Sequence, residues 1–354
     1  MRRRTFWIVF PVLLLAAAIV AAFLLRRRAA PEPARLLPAA DGYLYVDLKP
    51  LRLLGVIGKN PPAIQEPDYA EFVRATGFQF ERDLDEAAFA IHVPPRPIDA
   101  EPAPGASRPL PRYSEVFRGH FDSQRATDYF RKIARSPETY REVEIYSIPL
   151  EGRTVRVALL GVGVAAVSNT DGPRAVHFMI DRYKEVALPF GGPPLIREYY
   201  RRVPLGSLVW GMAHLSNEQG RGTPLVLPGG YDLLFPTDTV LVASVRYTTA
   251  IQFKAEAFTA NPDLAKQLVD QVGAFLAIFR GLEKSMNPSG TDPDVKAFFA
   301  SLQIEQYKNR AELSASVPPG FLKKAFAETP VEAIAGGMPE ASPTPTPKPR
   351  RHKR

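Results

Sequence analysis

The sequence predicts an α+β fold: an N-terminal transmembrane helix, then antiparallel sheets with packed helices, the soluble part falling into two halves that repeat one order of elements. Three observations carry this expectation. Residues 6–25, FWIVFPVLLLAAAIVAAFLL, form a run of twenty without a charge, bracketed by Arg2, Arg3, Arg4 and by Arg26, Arg27, Arg28. As a helix rising about 1.5 Å per residue they reach roughly 30 Å, the thickness of a bilayer's hydrocarbon core. Period-two alternation recurs further on, with Ile251, Phe253, Ala255 and Ala257 against Gln252, Lys254 and Glu256. Capped helix starts stand between such stretches, at Asp122 or Ser123 and at Asn261 followed by Pro262.

The apolar run exceeds the roughly 7–15 residues of a signal peptide's core and stops at three arginines, so the expectation is a retained anchor, with Pro11 tolerated in its first turns. Three arginines on each side nearly balance the positive-inside rule. The free amino group and the short N-terminal flank favour an inside N-terminus and an extracytoplasmic domain at the inner membrane; the rival orientation keeps Arg26, Arg27 and Arg28 in the cytoplasm.

The formal charge of +8 is a property of the chain ends. Six arginines flank the anchor, and the last fifteen residues hold Lys348, Arg350, Arg351, Lys353 and Arg354 against Glu340; with these set aside, 34 bases face 36 acids. A near-neutral domain gives no support to specific nucleic-acid binding. The chain has no cysteine, which excludes disulfides, thiolate metal sites, iron–sulfur clusters, a cysteine nucleophile and a lipobox.

In chain order, residues 1–28 are the anchor and residues 29–40 a proline-bearing spacer. Residues 41–190 are the first α+β half. It opens with a strand at 43–47, an amphipathic piece at 69–75 and a strand at 89–93. The run PPRPIDAEPAPGASRPLP at 94–111 is a mobile insertion, since proline fixes φ and removes a donor. A strand at 116–121, a helix to about 134, a hairpin of 142–148 with 154–160, and a strand at 163–168 follow. A helix then carries Val176, Met179, Ile180, Tyr183 and Val186 on one stripe. Residues 191–328 are the second half: a helical piece at 194–202, strands at 208–215, 239–247 and 251–258, a long helix from Pro262, another from Pro293, a strand at 304–317 and a helix at 320–326. Strand, capped helix and strand thus recur in 116–148 and 251–317. Residues 329–354 are a disordered tail rich in proline and base.

Leu37-Pro38 through the Tyr-x-Tyr-Val-Asp strand ending at Asp47, Thr76-Gly77-Phe78, Arg82-Asp83-Leu84-Asp85 and Gly119-His120-Phe121-Asp122 together resemble bacterial envelope proteins of the family of unknown function DUF3352, over residues 36–190. The resemblance implies a bacterial, membrane-tethered, extracytoplasmic α+β domain and assigns no functional residue.

No familiar catalytic pattern is complete. Gly58-Lys59-Asn60 lacks the upstream glycine and the Ser/Thr of a phosphate loop, and Gly161-Val162-Gly163 lacks a third glycine and a following helix. The five histidines, 92, 120, 177, 214 and 352, show no metal-ligand spacing. His120 is the most suggestive: alternation sets it on one strand face with Arg118, where the pair suits an anion, a base or plain solvent exposure. Glu81, Asp83, Asp85 and Glu86 suit a helix start better than calcium, and the 287–294 segment suits a capping loop. Trp210, Tyr199 and Tyr200 suit core packing, or with Phe275 an apolar pocket. The alternating prolines 343, 345, 347 and 349 extend the tail and project Lys348, Arg350, Arg351, Lys353 and Arg354.

The expectation is therefore a non-enzymatic binding or scaffold module, in contact with the bilayer and, through the tail, with an envelope protein or anionic polymer, needing no cofactor. The alternatives are a tethered hydrolase using carboxylates or His120, and a carrier of an apolar ligand.

Overall fold

The computed structural model describes residues 29–53, 67–93, 112–150, 152–185, 191–215, 223–227, 231–286, 293–318 and 320. The anchor, the 94–111 insertion, the 320–326 helix beyond its first residue and the basic tail lie outside them. No described helix is long and apolar enough to cross a membrane.

The chain opens with α1 (Glu32–Leu36), β1 (Gly42–Asp47), α2 (Leu48–Leu53), α3 (Pro67–Thr76) and α4 (Phe80–Asp83). Next come β2 (Leu84–His92), β3 (Arg112–Gly119), α5 (Ser123–Ile133), β4 (Ser136–Tyr140), β5 (Val143–Leu150), β6 (Arg153–Gly161), β7 (Val164–Ser168) and α6 (Arg174–Lys184). The second part holds α7 (Pro194–Tyr199), a 3₁₀ turn (Tyr200–Arg202), β8 (Ser207–Leu215), β9 (Thr223–Leu227), β10 (Tyr231–Phe235), β11 (Thr239–Tyr247), β12 (Ile251–Phe258), α8 (Pro262–Met286), α9 (Pro293–Ser301), β13 (Gln303–Tyr307) and β14 (Arg310–Val317). Among the described residues twelve strands form one sheet, in the order β13-β14-β12-β11-β8-β1-β2-β3-β7-β6-β5-β4, with β9 and β10 apart as a hairpin.

The two halves thus share one sheet, and their boundary is a hydrogen-bonded strand pair, β1 with β8, in which Tyr45 faces Trp210. Outward from that pair the two blocks run alike. In the first, a Pro-started helix (α1) precedes the meander β1-β2-β3, α5 follows, and the chain returns through β7 to pair with β3. In the second, a Pro-started helix (α7) precedes β8, β11 and β12, α8 and α9 follow, and the return through β14 pairs with β12. The first block carries the additional pair β4-β5 at its edge.

Local chemistry explains the helix starts. The Asp122 carboxylate accepts from the Gln124 and Arg125 amides at 2.9 and 3.1 Å, and the Asn261 side-chain oxygen accepts from Leu264 N at 3.0 Å. Asp122→Ala leaves two helix-start donors to water and lowers stability by about 1 kcal/mol, read as a shifted denaturant midpoint; an unchanged midpoint would remove the cap from the account. Asp83 accepts from Gln79 N at 2.9 Å, the role in helix initiation expected for that acidic stretch.

The expected spacer at 29–40 is corrected. It contains α1, and Ala34, Leu36 and Leu37 are among the most buried side chains of the protein. Its prolines start a helix rather than stiffen a linker, because Pro31 and Pro33 flank the first turn, where the missing N–H costs nothing. The expected strand at 304–317 is a hairpin, turned at Lys308, which has φ +56°. β4, SPETY, lacks apolar alternation because it is the sheet's outer edge, where polar residues and proline discourage further pairing.

One face of the sheet is filled. Tyr43, Tyr45, Ala88, Val116, Ala166, Trp210, Met212 and Val242 lie on it, and α1, α6 and α7 cover it with Leu36, Val176, Met179, Ile180 and Ile196 in one continuous core. Of the stripe predicted for α6, Val176, Met179 and Ile180 face inward and Tyr183 packs beside them, while Val186 lies outside the described residues. Burying each such side chain is worth about 1.5–3 kcal/mol. On the opposite face, α2 to α5 pack Leu48, Phe72, Phe78 and Phe121 against Ala87, Phe89 and Phe117. There α8 and α9 pack Leu268, Leu276 and Phe299 against Ala257, Ala311 and Ala315. Among the described residues the β9–β10 hairpin joins the second group, with Leu233 and Phe235 beside Leu241, and the strand positions between the two groups are half-buried or exposed.

Candidate functional site

The residues singled out at 118 and 120 do not share one strand face and take different carboxylates. β3 ends at Gly119, where β7 approaches closely: a Cβ on Gly163 would sit 2.4 Å from the Gly119 carbonyl oxygen. His120 therefore lies past the strand rather than on its face, its amide bound to the Asp83 carbonyl at 2.8 Å. Its ring is 78 % exposed, with Nδ1 3.3 Å from Asp85 Oδ2. Arg118 is engaged elsewhere, 3.2 Å from Glu32 and 4.0 Å from Glu86. Asp85 also binds Arg52. Burial holds the Glu86 and Asp47 carboxyls above their ordinary range. Arg118 and Arg52 thus already have carboxylate partners, and an exposed pair such as Arg118 with Glu32 contributes at most about 1 kcal/mol.

A serine–histidine contact does occur, His92 Nε2 to Ser114 Oγ at 2.9 Å. Ser114 is fully buried and continues to Ser168 at 3.2 Å, which reaches Thr170 at 2.9 Å. These hydrogen bonds satisfy buried hydroxyls, and Ser114 and Ser168 are closed to solvent. Among the described residues no group of three or more acidic or histidine side chains is set to hold a metal ion. The aromatic candidates separate: Trp210 stacks on Tyr45 with ring centroids 5.4 Å apart and meets Tyr200 edge-on, inside the filled core, whereas Phe275, on α8, packs on the other face. Among the described residues they line no common cavity. The basic tail residues Lys348, Arg350, Arg351, Lys353 and Arg354 lie outside the described residues.

What the sequence reading missed is a partly exposed apolar stretch in the middle of the second face, as it stands among the described residues. Pairing registers align one row across six strands: Glu115, Phe89, Leu44, Gly211, Ala243 and Ala255. The next row holds Phe117, Ala87, Val46, Val209, Val245 and Phe253. At the centre of both rows, Leu44 is 38 % exposed and Val46, Val209, Gly211, Ala243 and Val245 are half-buried. Gly211 and the alanines set a low floor between the larger side chains of the two helical groups. Water-facing strand positions are ordinarily polar; here a central stretch is apolar throughout, and open apolar patches mark binding surfaces.

One titratable group lies in these rows. Glu115 sits between Phe89 on β2 and Val167 on β7, and burial alone pushes its carboxyl up to about 7. No partner for it is found among the described residues. A floor that is apolar with one protonatable carboxyl at its edge can take an apolar body and hydrogen-bond a polar group.

No family model matches this chain, and no curated protein is similar to it. Among solved structures it is similar to TP0453. Crystal form III gives a TM-score of 0.46 at 9 % identity, over 85 % of this chain and 99 % of that one. Crystal form IV gives 0.42 at 10 %, over 84 % and 98 %, and crystal form I gives 0.40 at 12 %, over 85 % and 98 %. A likeness this distant transfers no function.

Proposed function

We propose that this chain is a single-pass protein of the bacterial inner membrane, anchored by residues 6–25 with its α+β part outside the cytoplasm. In this reading it is a non-enzymatic binding module, and its binding face is the open apolar floor around Leu44, Val209 and Gly211. The occupant it suits is an amphiphile with an extended apolar body, its polar end near Glu115. The resemblance to DUF3352 supports the tethered, extracytoplasmic setting, and the matched order of the two blocks supports an origin by internal duplication. The carrier alternative survives in altered form, on an open floor rather than around Trp210. The hydrolase alternative finds no support in His120, which stands on the surface bound to Asp85.

The observation that carries the reading is Leu44, exposed in the middle of a central strand with apolar neighbours on both sides. The full chain in lipid nanodiscs is expected to enhance the emission of a neutral apolar dye, N-phenyl-1-naphthylamine, above that of empty nanodiscs. Leu44→Asp weakens this binding at least about tenfold, since a charge on the floor must be desolvated by the dye. Val93→Asp, at a position more exposed still, leaves it unchanged. Equal dye binding by wild type and Leu44→Asp would exclude the floor as the site.

A further inference from the structure

The sheet has two ends, and both chain exits lie at the same one. β1 is antiparallel to β2 and β8, so Asp47, Leu84 and Ser207 lie at one end, together with Gly119, Val164, Tyr247 and Val317. Gly42, His92, Arg112 and Leu150 lie at the other. At the N-terminal exit, Glu32 is fixed to this first end by its ion pair with Arg118, the next-to-last residue of β3. At the C-terminal exit, Val317 pairs with Ile251 beside the β11–β12 turn, and the chain runs on from there to the tail bearing five bases among its last seven residues.

We infer that this first end of the sheet rests against the headgroups of the bilayer, with the strands standing away from it. The inference rests on the anchored reading above and adds what that reading leaves open, the attitude of the domain. Arg28 closes the arginine flank of the apolar run, and only three residues separate it from Glu32. At no more than about 3.6 Å per residue, Glu32 lies within about 15 Å of the anchor's end. There is no slack beyond it, because α1 is part of the core. Strands of eight or nine residues, at about 3.3 Å each, put the opposite end nearly 30 Å further out.

The first end also presents side chains suited to an interface. Val162, in the β6–β7 turn, is 96 % exposed, and Leu53, Leu205 and Tyr247 are exposed at the ends of α2, β8 and β11. Exposed Lys49 and Arg246 stand among them. Apolar side chains entering the headgroup layer beside bases that pair with lipid phosphate are the usual terms of contact with an anionic leaflet.

The chain lacks cysteine, so single reporters can be introduced without background. Val162→Cys and Leu205→Cys report the first end; Val93→Cys and Leu150→Cys, also exposed, report the other. Each full-length variant is labelled with a nitrobenzoxadiazole thiol probe and reconstituted in phosphatidylcholine vesicles containing phosphatidylglycerol. A nitroxide attached to the lipid headgroup is expected to quench the labels at 162 and 205 at least about threefold more than those at 93 and 150, because such quenching is confined to short range. Co-flotation with vesicles but equal quenching at the two ends, or stronger quenching at 93 and 150, overturns the orientation and leaves the anchor standing. Failure of the full chain to float with vesicles overturns the anchor and the orientation with it.

Discussion

Trp210→Ala lowers the unfolding free energy of the full chain by about 3–5 kcal/mol, the largest effect expected of any single truncation in the core. Trp210 is 1 % exposed, stacks on Tyr45 across the β1–β8 pair and meets Tyr200 edge-on. It therefore stands at the junction of the two strand blocks, and its loss opens a cavity where both blocks contribute walls. Its indole Nε1 is buried without an acceptor among the described residues. Trp210→Phe keeps most of the volume and discards that donor, so its cost stays below about 1.5 kcal/mol. The two midpoints in a denaturant titration check this. A Trp210→Ala variant within 1 kcal/mol of wild type would mean that the blocks do not depend on this contact.

Glu115→Gln flattens the pH dependence of stability and raises stability above neutrality, by at most about 3 kcal/mol. The sign follows from the direction of the shift. Burial raises the carboxyl from 4.5 to about 7 in the folded protein. Between those values the folded state keeps a proton that the unfolded state has released, so the unfolded state binds fewer protons and stability falls as pH rises. The loss is complete above about 7. Asp47 and Glu86, raised by burial, add slopes of the same sign, and His92, lowered by burial, adds one of opposite sign. Comparing Glu115→Gln with wild type at each pH cancels them. Parallel stability curves from pH 5 to 8 would show that Glu115 is solvated rather than enclosed by Phe89 and Val167. If the floor takes an amphiphile whose polar end meets Glu115, the same substitution changes the pH dependence of dye binding while leaving binding at low pH intact.

Much of the fold was legible because its elements follow local rules. The pair β11–β12 emerged from unbroken alternation, α5 and α8 from Asp122 and Asn261-Pro262, and α6 from its apolar stripe; each depends on chemistry within a few residues. Edge strand β4 escaped because its position removes the pattern that identifies a strand. The 29–40 segment misled because proline suits a linker and a helix start equally, and only Leu36 and Leu37 in the core distinguish them. For the site, alternation pointed to Arg118 and His120, but the strand stops between them at Gly119. The floor left one trace in the sequence. β1, β8 and β11, as GYLYVD, SLVWGMAHL and TVLVASV, are apolar on both faces, a sign that their second face serves something other than water.

By itself the sequence determined the local elements, the confinement of net charge to the two ends of the chain, the absence of thiol chemistry and the twenty-residue apolar run. These are properties of residue type and spacing, set by interactions between near neighbours. Tertiary structure alone decided that β1 and β8 join two blocks into one sheet, that Trp210 belongs to the filled face and Leu44 to the open one, and that both exits of the described fold share an end. Those facts depend on which strands pair and in what register, and a one-residue shift of register would exchange the two faces.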